Sequence, residues 1–85
     1  MGPIAAILES KLRAAFSPTA LEVIDESHRH AGHAGAHPQG ESHFRLRISA
    51  PAFQGQSRVQ QHRMINAALA HELKTRVHAL AIEVI

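Results

Sequence analysis

The segment from Ser42 to Ile85 constrains this chain most. Between Ser42 and Ser49, Phe44, Leu46 and Ile48 alternate with His43, Arg45 and Arg47. That period of two describes a strand with one dry face and one basic face. Pro51 and Gly55 then break the chain. Ser57 can cap a helix, with Gln60 three residues on in the capping-box position. The helix should run to about Leu73, with Met64, Ile65, Ala68, Leu69 and Leu73 on its buried side. Lys74 and Arg76 near its end suit the negative pole of the helix dipole. Val77 to Ile85 is hydrophobic again, apolar on both faces except at His78 and Glu83, the pattern of a well-covered strand. A strand, a helix and a strand in succession imply a right-handed crossover between two parallel strands.

The residues upstream complete the sheet. Pro3 suits a first helical turn, where its missing N–H is harmless. Ile4, Ile7, Leu8, Leu12 and Ala15 follow at helical spacing, and Pro18 disfavours helical geometry at Ser17. Leu21 to Glu26 reads as a strand with imperfect alternation, since Ile24 falls among the polar positions. From His28 to Gly40 the chain carries four histidines among Gly and Pro breakers and almost no hydrophobe larger than Ala, which predicts a flexible loop. The first two strands can pair antiparallel across it. The fold expected is therefore α+β: a three-stranded mixed sheet with helices packed on one face, in a single domain spanning residues 1–85.

Composition narrows the chemistry. Eighty-five residues bury only a little over ~60% of the unfolded surface. Cysteine is absent, which excludes disulfides, thiol nucleophiles and an iron–sulfur cluster ligated by this chain's own cysteines. Nine Lys+Arg against seven Asp+Glu leave a net charge of +2, a weak hint of an anionic partner. The N-terminus has no basic region before a long apolar run, and no stretch reaches membrane-spanning length, so a cytoplasmic location is expected. No nucleophile motif, phosphate-cradling glycine loop or paired carboxylates stand out, so no enzymatic activity is expected.

The unusual count is eight histidines: His28, His30, His33, His37, His43, His62, His71 and His78. Imidazole either ligates metal or titrates near neutrality. The loop histidines fit no structural zinc spacing, and Gly32 and Gly35 leave them unconstrained. They read as a solvated loop able to bind Zn²⁺ or Ni²⁺ adventitiously. His43, Arg45 and Arg47 could meet an acidic surface or phosphate, although a solvated sheet face is the commoner outcome. His71, on the long helix, reads as exposed. From its phase with Leu80, Ile82 and Val84, His78 alone reads as a core or edge histidine.

Several runs taken together change that. Leu21-Glu22-Val23, Asp25-Glu26-Ser27, Glu41-Ser42-His43-Phe44, Phe53-Gln54-Gly55, His62-Arg63-Met64-Ile65, Leu73 and Val77-His78-Ala79-Leu80-Ala81 resemble the BolA family in order and spacing, over about Lys11 to Ile82. The resemblance implies an α-β-β-α-α-β order related to the class II K-homology (KH-like) module, with a short helical turn near Pro51–Gln56. It also implies a partner, a monothiol glutaredoxin, and a shared [2Fe-2S] cluster held by the glutaredoxin cysteine, glutathione and histidine. The family's C-terminal histidine falls on His78. The loop ligand falls on His30 counted forward from Asp25-Glu26-Ser27, and on His33 counted back from Glu41-Ser42-His43-Phe44. Gln61 departs from the family, whose members often carry Arg there, and weakens any role for a basic cluster.

The function this implies is iron–sulfur cluster trafficking or iron homeostasis as an adaptor. Neutral imidazole is a good iron ligand, and replacing thiolate by histidine raises a [2Fe-2S] cluster's potential. The alternative is a DNA-binding transcription regulator using the long helix with Arg58 and Arg63. Against nucleic acid stand the lone Gly55 without a Gly-x-x-Gly clamp, the lack of an exposed aromatic and the small net charge.

Overall fold

The computed structural model describes residues 2–27 and 40–85. In chain order these form α1 (Pro3–Phe16), β1 (Ala20–Asp25), β2 (His43–Ser49), a 3₁₀ turn (Pro51–Phe53), α2 (Arg58–Ala68), α3 (Ala70–Thr75) and β3 (Ala79–Val84). β1 pairs antiparallel with β2, and β2 pairs parallel with β3. This is the mixed sheet and element order expected, including the short turn at Pro51. Of the predicted loop, only Gly40 falls among the described residues.

The alternation in β2 sets the layers. Phe44, Leu46 and Ile48 are all at or below 2% exposure and form the middle of the core. Leu8 and Leu12 of α1 and Ile65 and Leu69 close over them. Each such side chain stabilises the fold by roughly 1.5–3 kcal/mol relative to remaining in water. Phe53, delivered by the 3₁₀ turn, stacks at a tilt on Phe16 with ring centroids 4.9 Å apart. Gly55 follows at φ +80°, a conformation that glycine adopts without strain.

Three local expectations are corrected. In α1 the buried stripe is Ala5, Leu8 and Leu12, whereas Ile7 and Ala15 face outward. Anchoring at both ends fixes this rotation: Phe16 packs on Phe53, and the first turn is bound by Glu41. The single long helix is two, α2 and α3, separated at Leu69 with φ −107° and ψ 17°. Nothing local in the sequence marks that kink, since neither Gly nor Pro is present. Beyond it, Glu72 joins Ile65 and Leu69 in the buried stripe, and Leu73 packs half-buried against the core as expected. β3 is an edge strand and is covered on one side only: Leu80, Ile82 and Val84 pack inward while Ala79, Ala81 and Glu83 are exposed. It looked apolar on both faces because two of its outward residues are alanine.

The buried acid at position 72 is paired. Lys11 Nζ donates to both its carboxylate oxygens, at 2.9 and 2.8 Å. Burial raises the Glu72 pKa, but the Lys11 hydrogen bond and charge outweigh it and hold the group below the usual carboxylate range.

Candidate functional site: a histidine pair at the start of β2 and β3

The chain between α3 and β3 is fixed by backbone hydrogen bonds. The N–H groups of Arg76 and Val77 both donate to Glu72 O, at 2.9 and 2.7 Å, which closes the last turn. Val77 is buried and pins the joint to the core. The N–H groups of His78 and Ala79 then both donate to Ser42 O, at 2.8 and 3.2 Å. Ala79 pairs with His43 as the first residue of β3. His78 thus sits on a rigid joint, and its residue is exposed. It borders a depression of about 290 Å³ lined by Leu73, Lys74, Thr75, Arg76 and Val77.

The structure adds a second histidine there. The rings of His43 and His78 lie 5.3 Å apart between centroids, tilted by 48°. His43 is 6% exposed, and its Nδ1 is 2.9 Å from Ser42 Oγ. The sequence reading placed His43 outward beside Arg45 and Arg47. It is on that side of β2 but is buried. The Glu41-Ser42-His43-Phe44 run was the available signal, because it sets His43 at the strand start that faces the His78 joint.

The ends of the loop are also held in place. Ser27 Oγ accepts from the N–H groups of Ser42 and His43, at 2.8 and 3.1 Å. Asp25 Oδ1 accepts from Ser27 N–H at 2.9 Å. Asp25-Glu26-Ser27 and Glu41-Ser42-His43 are therefore two halves of one latch, and it sits directly against the His78 joint. His30 and His33 lie outside the described residues.

The donor set has a definite chemical character. Among the described residues no three His, Asp or Glu side chains converge well enough to hold a metal ion. Two imidazoles alone would make an incomplete metal centre, so a metal ion bound there would need further donors from another molecule or another part of the chain. An exposed imidazole at a fixed position suits a ligand contributed to a centre shared with another molecule.

The remaining cations divide in two. Arg45 pairs with Glu26 at 3.1 Å, and Arg47 with Glu83 and Glu22 at 2.7 and 3.4 Å. Hydrogen bonds from Arg47 to Glu83 and Glu22 raise its pKa further. The arginines of the sheet face are thus paired within the chain, in keeping with the solvated face expected there rather than a docking surface for an acidic partner. Arg58 and Arg63 on α2 are exposed and make no ion pair among the described residues. His62 is half-buried and His71 exposed. No helix among the described residues is long and apolar enough to cross a membrane.

Comparisons with known proteins agree with this layout. A family model described as BolA-like protein matches residues 12–85. The chain is 51% identical over 75 residues to the DNA-binding transcriptional regulator BolA of Escherichia coli, covering 88% of this chain and 68% of that protein. It superposes on the BolA domain of SufE1 from Arabidopsis thaliana with a TM-score of 0.89 and 44% identity, over 99% of this chain and 92% of that one. Against the solution structure of mouse BolA1 the TM-score is 0.81 at 43% identity, over 98% of this chain and 64% of that one. The chain belongs to the BolA-like protein family.

Proposed function

We propose that this protein is an adaptor that binds a monothiol glutaredoxin and shares a [2Fe-2S] cluster with it, in iron–sulfur trafficking or iron homeostasis. Partner and cargo come from the family resemblance. The observation that supports them here is the exposed His78 on a joint fixed by the core and by Ser42. The chain has no thiolate to offer, so its contribution is nitrogen. His78 supplies the fixed ligand, His30 or His33 the loop ligand, and the glutaredoxin cysteine and glutathione the sulfur. Exchange of one glutaredoxin protomer for this chain converts a symmetric sulfur-ligated site into a mixed one. Imidazole must be neutral to ligate, so the shared site weakens on acidification. Anaerobic mixing with cluster-loaded monothiol glutaredoxin and glutathione should give a new visible circular dichroism spectrum at one-to-one stoichiometry. Among the loop variants, the one of His30→Ala and His33→Ala that alters the spectrum identifies the loop ligand. If the spectrum stays that of the glutaredoxin homodimer, the reading fails.

A second reading, DNA-binding transcription regulation, is favoured by the name of the Escherichia coli relative and by Arg58 and Arg63 on α2, exposed and without an ion pair among the described residues. Duplex binding that weakens steeply between low and moderate salt, and whose salt slope shrinks in Arg58→Ala and Arg63→Ala, would support it.

A further inference from the structure

We infer that Glu41 is a positioning residue that holds the loop end and the His78 joint at a fixed separation by tying both to the start of α1. Four observations converge on it. First, Glu41 Oε2 accepts from the N–H groups of Ile4 and Ala5, at 3.1 and 3.0 Å, across 37 and 36 residues of chain. These first-turn donors have no local partner, because the N-cap is Gly2 and offers no side chain. Second, the Glu41 carbonyl accepts from Arg76 Nη1 at 3.2 Å, and the next carbonyl, of Ser42, accepts from His78 and Ala79. One dipeptide therefore grips α1 with its side chain and the histidine joint with its backbone.

Third, Glu41 has φ +54°, directly after Gly40 at φ +74°. A left-handed conformation is strained for any residue but glycine and persists only where the surroundings hold it. A capping residue at position 2 would satisfy α1 without this strain. Fourth, a Cβ at Gly2 would overlap the Glu41 carboxylate, so any larger residue there pushes that side chain from its seat on α1. A long-range, strained contact replaces an easy local one, and what it adds is a mechanical link from α1 to the joint.

The geometric part of this inference stands on the protein alone; its consequence for the cluster rests on the proposed function. The test uses the full chain without partner, in wild type, Glu41→Ala, Glu41→Gln, Gly2→Ala and, as a distant destabilised control, Ile65→Val. Amide exchange at His78 and Ala79 and the imidazole carbon–proton signals of His78 are read by NMR. In Glu41→Ala, exchange at His78 and Ala79 should quicken by about tenfold relative to Leu46 and Ile48. Glu41→Gln retains an acceptor oxygen and should restore most of the protection. Gly2→Ala leaves Glu41 chemically intact but displaces its carboxylate, so the His78 signals should move. If Glu41→Ala does not fold, Gly2→Ala decides alone. His78 signals unchanged in Gly2→Ala, or reproduced by Ile65→Val, overturn the assignment. Because these readouts need no cluster, failure of the glutaredoxin complex would count against the proposed function and leave this result intact.

Discussion

The middle of the sheet and its histidine end are held by different forces. In the middle, Leu46 lies between Val23 on β1 and Ile82 on β3 and is sealed by the helices. Non-directional burial holds it there, and any hydrophobe of similar volume satisfies it. At the end, His43 and His78 are placed by a few directional contacts among Ser27, Glu41, Ser42 and Arg76. The middle resists small changes and collapses with large ones. The end should be alterable residue by residue while the fold survives, as the proposed role in presenting a ligand needs.

Leu46→Ala strikes the middle hardest. It should cost about 2–5 kcal/mol, a large share of the stability of a domain this small, seen as a large drop in the urea midpoint. Ser27→Ala attacks the end. It removes the side-chain acceptor of the Ser42 and His43 N–H groups and should cost about 1–3 kcal/mol. Faster amide exchange at Ser42 and His43, with Leu46 protected, would sharpen the contrast; uniform loss across the sheet would break it.

Lys11→Met tests the one charge in the core stripe. Glu72 is held below its ordinary range, so its contribution to stability is complete above the usual carboxylate pKa of about 4.3 and fades as pH falls through its folded value. Removing Lys11 leaves burial opposed only by a backbone hydrogen bond and the nearby His71, and the Glu72 pKa should rise. Variant and wild type should therefore differ at neutral pH and converge in acid, as followed by urea unfolding across pH. The smallest effect is expected for Arg47→Ala, whose pairs are fully exposed: the midpoint should not move measurably.

The same contrast explains what the sequence revealed. Periodicity made β2, the crossover and the helix side of the sheet legible, because burial imposes a period. It misled at Ile7, where packing at Phe16 and Glu41 set the rotation of α1, and at β3, where outward alanines imitate a core face. It gave no sign of the Leu69 kink or of the pairing of Glu72 with Lys11. The latch joining Ser27, Glu41 and Ser42 has no period; its residues lie in runs that resemble the family, but nothing in the sequence shows the contacts between them. The hydrophobic pattern from Val77 to Ile85 put His78 at the start of the last strand, one residue before β3, while His43 fell only within an outward face.

The most direct measurement compares His78→Ala with wild type for stability and for the visible circular dichroism of the anaerobic mixture with cluster-loaded monothiol glutaredoxin and glutathione. The account predicts an unchanged urea midpoint and loss of the mixed-ligand spectrum. A variant as stable as wild type that still gives the wild-type spectrum would contradict it.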